Sequence, residues 1–302
     1  MQKIPVLVTF FNRPSHLEKL LISLKKFPNI ELYFSSDGPR NKMDRNNLES
    51  CFELINKYFG SHPKNQFLSR DNNLGCKIGM KSNIDWFFDQ VPFGIILEDD
   101  CIPNDNFINL TGKMLSENFK NPSYMSINGT NSFFKVHSKS LFRETFFPMV
   151  WGWGTWAKQW DKYQLEIPDA NAIVKSVSNK IFGSKFSINK KYFENVFTAR
   201  FSEVEKGLID TWDYSLTASA WRHGIKSLQF NYNSIINIGF DSAATHTINE
   251  KPKWVPIAFA EIFETKQEVQ TVDYESELWT IRNVFGAGLK QSVKNQIKSI
   301  VR

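Results

Sequence analysis

The sequence predicts an α/β fold built on a mostly parallel central sheet, and three observations predict it. Strand-like and helix-like segments alternate through the first hundred residues, the pattern of a parallel sheet joined by helical crossovers. Residues 93–97 form a continuous apolar run, as in a central strand covered on both faces. The chain has 302 residues, of which 41% are apolar and 23% charged. That composition is ordinary for a globular protein and excludes disorder or a coiled-coil rod as the main state.

Taken in order, Ile4–Phe10 reads as a buried strand, with Pro5 tolerated near its start. Pro14 opens a helical pattern that continues through Leu17, Leu20, Leu21 and Leu24. Residues 30–35 read as the second strand, 48–59 as a helix, 66–69 as a short strand and Gly75–Phe88 as another helix. Beyond residue 100 the pattern is less regular. Trp and Gly cluster at 151–156, a helix is expected over 212–223, and short strands over 228–230 and 235–238. The last fifty residues carry helical patterns and end in a basic amphipathic stretch, so a C-terminal helical extension is expected over 251–302.

Lys plus Arg number 37 against 31 Asp plus Glu, a net charge of +6. That balance is compatible with an anionic substrate, a membrane surface or nucleic acid. The basic residues are scattered and no nucleic-acid module is present, so no nucleic-acid partner is expected. Cys51, Cys76 and Cys101 have neither zinc-ligand nor redox spacing and read as thiols of a reducing cytosol. There is no run of roughly 18 apolar residues and no secretory leader pattern at the start, so the expected location is cytoplasmic. The apolar residues among the lysines of 290–302 make that tail a candidate for peripheral contact with the inner face of a membrane. A solvated terminal helix is the other reading of it.

The sharpest feature is the buried run that ends in Glu98-Asp99-Asp100. Three adjacent carboxylates are costly to desolvate, so burial alone does not explain them. Ligands of open α/β sheets bind beyond the carboxyl ends of the strands, where carboxylates suit a hard divalent cation gripping phosphate oxygens. Strand alternation predicts different jobs for Asp99 and Asp100. A solvated acidic turn leading to Pro103 is the other reading. Three more elements fall at the same predicted sheet edge. Thr9 to Pro14 places Arg13 at a helix start, suited to a diphosphate or a base edge. Ser36-Asp37-Gly38 places a carboxylate where it can accept from a base imide. Asn73-Leu74-Gly75 is followed by Lys77, which can meet phosphate. Taken singly, these read as an exposed arginine, an Asp-Gly turn and a helix cap.

Together, in this order, the four motifs resemble those of GT-A glycosyltransferases, in particular the family-2-like group. They are similar as well to the N-acetylglucosaminyltransferase I type, whose DxD motif reads Glu-Asp-Asp. The resemblance spans roughly residues 4 to 250. It implies a Rossmann-like GT-A catalytic domain over 1–250, with a nucleotide-sugar half over 1–105 and an acceptor half over 106–250. Thr9, Arg13, Asp37, Lys77, Glu98 and Asp99 are then donor-binding, with Asp37 on a uracil-like base and Asp99 facing ribose or sugar. Asp100 would hold Mn²⁺ or Mg²⁺, with His246 as a further ligand. Trp212-Asp213-Tyr214-Ser215-Leu216 with Arg222 and Gly224 resembles the family-2 stretch carrying the catalytic base. Asp213 falls at that position. Trp212 replaces the Glu that usually precedes it, which keeps Asp210 as a second candidate. A helix N-cap is the structural alternative for Asp213. Trp151-Gly152-Trp153-Gly154 resembles the loop lining donor sugar and acceptor.

The implied activity is inverting, metal-dependent transfer of a sugar from a nucleotide-diphosphate donor, with a UDP-sugar the expected one. The acceptor is a hydroxyl of a glycan or lipid-linked molecule, in bacterial surface polysaccharide or lipopolysaccharide synthesis. A sugar-nucleotide nucleotidyltransferase would carry glycines after the first strand, where this chain reads Phe10-Phe11-Asn12-Arg13-Pro14. A non-catalytic carbohydrate-binding protein would use the tryptophans and leave the acidic triplet incidental.

Overall fold

A computed structural model describes residues 3–60, 66–133, 140–185, 187–240, 251–260 and 266–286. The first half follows the expected alternation: β1 (Ile4–Phe10), α1 (Pro14–Leu24), β2 (Ile30–Ser36), α2 (Lys42–Phe59), β3 (Phe67–Ser69), α3 (Gly75–Phe88) and β4 (Phe93–Glu98). Helix α2 starts six residues before the expected position because Asn41 caps it, accepting from the Asp44 N–H at 2.9 Å. Next come β5 (Cys101–Pro103), α4 (Asp105–Asn118), β6 (Ile127–Asn128), β7 (Ser140–Thr145), β8 (Trp153–Trp156) and α5 (Ala157–Trp160). The chain continues through α6 (Ala170–Phe182), α7 (Ile188–Glu205), α8 (Asp213–Arg222), β9 (Ser227–Phe230), β10 (Ile235–Asn237), β11 (Lys266–Gln270) and α9 (Tyr274–Asn283).

Among the described residues, nine strands form one mixed, mostly parallel sheet in the order β11-β7-β9-β6-β8-β4-β1-β2-β3. Strands β4, β1, β2 and β3 are all parallel, so their carboxyl ends share one edge. Alternation along each strand feeds two cores. Val6, Val8, Ile95 and Leu97 face α1, α2 and α4, whereas Leu7 and Ile96 face α3 and the helices of the second half. On α1, Leu17, Leu20, Leu21 and Leu24 are fully buried, each contributing about 1.5–3 kcal/mol relative to exposure.

The tryptophan cluster is a correction to the expected binding loop. Residues 153–156 are strand β8, inserted antiparallel between β4 and β6. Trp153, only 1% exposed, packs against Trp212 and Trp160, and Trp156 donates from Nε1 to the Leu115 carbonyl on the other face. Neither indole keeps a face for a sugar.

Residues 266–283 are also not purely helical. Strand β11 extends the main sheet beside β7, and α9 seals the same edge. Arg143 on β7 donates from Nε to Ser276 Oγ at 3.0 Å, and Glu277 accepts from the Phe146 N–H at 3.0 Å. Burial lowers the Arg143 pKa to about 10 and raises that of Glu277 to about 7. A carboxyl raised in the folded state stabilises the fold fully below its ordinary value of 4.5 and loses that contribution as pH rises to about 7. Glu277→Gln keeps an oxygen for the Phe146 N–H and carries no charge. It is therefore expected to be more stable than the parent at pH 8 by up to about 3 kcal/mol and equal to it near pH 4, as read by urea unfolding at both pH values.

Candidate functional site

A cavity of about 260 Å³ opens at the shared carboxyl edge of β1, β2 and β4. Its volume sits just under the ~300–1,000 Å³ of typical small-molecule pockets. Thr9, Arg13, Asp37, Glu98, Asp99 and Asp210, all expected from the sequence, line it together. Residues 9 and 98 are direct partners in the β1–β4 register, which explains how segments so distant in sequence converge. Thr9 donates to the Leu97 carbonyl at 3.5 Å and ties the two strand ends together.

Arg13 occupies the position before α1, and Pro14 holds it in non-helical backbone, φ −118°. Its side chain crosses to the end of β4. Nε donates to Asp99 Oδ2 at 3.3 Å, Nη2 to Asp99 Oδ1, and Nη1 to Asp100 Oδ2 at 2.9 Å. The Arg13 side chain is 13% exposed and that of Asp99 2%. Burial opposes the Arg13 charge, but Asp99, Asp100 and Glu98 outweigh it and raise its pKa. Burial, opposed by Arg13, raises the Asp99 pKa; burial and then repulsion from Asp100 raise that of Glu98.

Two expectations for the triplet are corrected here. Asp99 lines the cavity, but both of its oxygens are bonded by the Arg13 guanidinium instead of being left for a ribose. Asp99 and Asp100 share a partner instead of dividing tasks, because β4 stops at Glu98 and strand alternation no longer applies. Asp100 itself lies outside the cavity lining. Cys101 Sγ donates to its Oδ1 at 3.4 Å, and the β10 end is pinned over it by the Ile238 N–H, which bonds the Asp100 carbonyl at 2.8 Å. Gly239 lies so close that a Cβ there would stand 2.1 Å from Asp100 Oδ2. His246 lies outside the described residues, as does the 290–302 tail.

The start of α3 is held by two carboxylates. Asp37 accepts from the backbone N–H groups of Gly38, Leu74 and Gly75 at 2.9–3.1 Å. Asp210 accepts from those of Cys76 and Lys77 at 2.8 and 2.9 Å. Gly75, at φ +77°, makes the turn that brings these N–H groups inward. Asp37 thus lines the cavity, but its oxygens are engaged in shaping the loop and not open to a base. Lys77 is a further correction. Helical phase turns it away from the cavity, and its Nζ donates to the Val204 carbonyl at the end of α7, 3.3 Å away.

Asp213 opens α8, where its Oδ1 accepts from Thr211 Oγ1 at 2.5 Å and from the Tyr214 N–H at 2.8 Å. It sits outside the cavity lining, yet near enough to help raise the Glu98 pKa. Trp151 is half-buried and stacks on Trp254 with centroids 5.4 Å apart, next to Phe240. Gly152 turns at φ +65° and packs on Ile235, and Gly154 lies inside β8.

Asn73, from the third motif, also lines the cavity, as do Phe11, Asn12, Arg40, Met80 and Asn83, which were not proposed as site residues from the sequence. Arg40 sits over the Phe11 ring at 4.9 Å and pairs with the buried Asp44, which Asn12 also contacts. The signal was present, since Asn12 falls inside the Thr9–Pro14 motif and Arg40 follows Ser36-Asp37-Gly38 by two residues. Burial pushes the Cys51 thiol up to about 12 and raises those of Cys76 and Cys101, consistent with unreactive thiols. Among the described residues no helix is long and apolar enough to cross a membrane. No protein-family model and no curated protein matches this chain.

Proposed function

We propose that the protein is a glycosyltransferase of the GT-A type, moving a sugar from a nucleoside-diphosphate donor to a hydroxyl of a glycan or lipid-linked acceptor with inversion. One observation carries this reading. The cavity lies beyond the carboxyl ends of three adjacent parallel strands and gathers Arg13, Asp37, Glu98 and Asp99 from three separate motifs. Its chemistry is divided in the way such a donor requires. Phe10, Phe11 and Met80 give an apolar wall for a flat nucleobase, while Arg13 and Arg40 supply N–H donors for phosphate oxygens.

In the proposed step the acceptor oxygen attacks the anomeric carbon, the bond to the diphosphate breaks, and the hydroxyl proton passes to a carboxylate. Asp213 is the proposed base, its carboxylate oriented by Thr211 and Tyr214. Asp210 is the weaker candidate, since both of its oxygens already cap α3. Trp151, with Trp254 and Phe240, offers an aromatic surface for an acceptor sugar.

The expected Mn²⁺ or Mg²⁺ does not fit the described residues around Asp100. Its carboxylate is bonded by Arg13 and Cys101 and covered by Gly239, and no group of three His, Cys, Asp or Glu side chains among those residues is placed to hold an ion.

The test is thermal unfolding with a panel of nucleoside diphosphates and nucleotide sugars. A donor at a hundredfold excess over its Kd is expected to stabilise the protein by about 2.7 kcal/mol. A panel in which UDP, GDP, ADP, CDP and their sugars all leave the transition unmoved removes the reading.

A further inference from the structure

Part of the negative charge of the triplet at the end of β4 is already countered from within the chain, by Arg13. One guanidinium makes three hydrogen bonds to two carboxylates, and Asp99 and Asp100 are only 1% and 9% exposed. A second and independent observation concerns space. Asp100 Oδ2 accepts from Arg13 Nη1 and lies so near Gly239 that a Cβ there would stand 2.1 Å away. A hydrated divalent ion of the kind carboxylates usually hold needs several oxygen ligands at 2.0–2.6 Å and a volume to match. To bind here it would have to displace the guanidinium and lift the chain at Gly239.

We propose that Arg13 is the resident cation of this site, bridging Asp99 and Asp100 to the anionic group of the ligand, so that a nucleoside diphosphate binds without a divalent metal. The proposal rests on the nucleotide-sugar reading above and changes what supplies the positive charge. The stoichiometry of the guanidinium fits the role. Arg13 has five N–H donors, of which three are spent on the carboxylates and two are left, and the residue is one of those lining the cavity. A planar fork held in a fixed orientation by Asp99 presents those donors to a phosphate oxygen with little left to organise. The two carboxylates then act as positioning residues for Arg13.

The experiment is calorimetry on the full chain with two probes, UDP and Mn²⁺ alone. UDP is expected to bind wild type in EDTA with a Kd within about tenfold of its value in Mn²⁺. Mn²⁺ alone is expected to give no heat of binding with wild type. Arg13→Ala frees both carboxylates and is expected to gain Mn²⁺ binding while losing UDP binding in EDTA. Arg13→Lys retains a charge without the fork. It serves as the folded control if the alanine variant does not fold, and is expected to weaken UDP binding in EDTA without creating a requirement for Mn²⁺. Mn²⁺ binding to wild type, or UDP binding only when Mn²⁺ is present, overturns the proposal. UDP failing to bind under either condition overturns the nucleotide reading and the ligand-bridging role with it. The Mn²⁺ titrations of wild type and Arg13→Ala still decide by themselves whether Arg13 holds the metal position.

Discussion

Asp213→Asn is expected to lower sugar transfer by about 10²–10⁴-fold, the usual contribution of a positioned general base, and to leave UDP affinity unchanged. The substitution is nearly isosteric, and the amide oxygen can keep both contacts that Asp213 Oδ1 makes, to Thr211 and Tyr214. What it removes is the capacity to accept a proton. Because Asp213 lies outside the cavity lining, donor binding has no direct stake in it. The measurement is a comparison of single-turnover transfer with UDP affinity by calorimetry. Asp210→Asn provides the contrast. Asp210 holds two N–H groups at the start of α3, so its loss is expected to reduce stability and UDP affinity together. Transfer that survives in Asp213→Asn and vanishes in Asp210→Asn, with UDP still bound, moves the base to Asp210. Lost UDP binding in Asp213→Asn takes that residue out of the base role.

The elements legible in the sequence were those whose signals are local. Strand β1 and helix α3 fall where a buried run and a helical repeat placed them, and α1 begins at the proline that opens its pattern. The site edge was legible for a topological reason, since parallel strands present their carboxyl ends together, Arg13 and Asp37 follow strand ends and Glu98 closes β4. What stayed hidden depended on partners distant in sequence. Trp153–Trp156 shows no two-residue alternation, and its place in the sheet is set by β4 and β6 on either side. Glycines there read as a loop, whereas Gly154 is required because a Cβ would meet Thr111 at 2.7 Å. The direction of Lys77 depends on the phase of a helix whose neighbours, α7 and the Asp210 loop, come more than a hundred residues later. The pairing of Arg13 with Asp99 and Asp100 spans 86 and 87 residues, and no spacing rule predicts it.

That pairing underlies the largest expected change in stability. Arg13→Ala leaves Asp99 and Asp100 without their cation in a place water scarcely reaches, and breaking a buried pair on one side costs about 3–5 kcal/mol. The loss exceeds what a surface ion pair of ~0–1 kcal/mol could give, which makes urea unfolding at pH 7 a clear discriminator. The sign of the pH dependence follows from the raised carboxyls. Burial raises both Asp99 and Glu98, and Arg13 gives the largest opposition to the rise in each. Without Arg13 their folded-state values climb further above the unfolded ones, so the variant binds more protons folded than unfolded across the acid-to-neutral range. Its stability is therefore greatest below the ordinary carboxylate range and falls as pH rises. The gap between Arg13→Ala and the parent is expected to be wide at pH 8 and narrow toward pH 5. Adding Asp99→Asn to Arg13→Ala removes one stranded charge and is expected to recover part of the loss, giving a double-mutant coupling well above 1 kcal/mol. A gap that stays below about 1 kcal/mol at pH 7 and does not widen toward pH 8 would mean that water reaches the carboxylates once the guanidinium is gone. The site would then be an open acidic turn and not a closed cation–carboxylate unit.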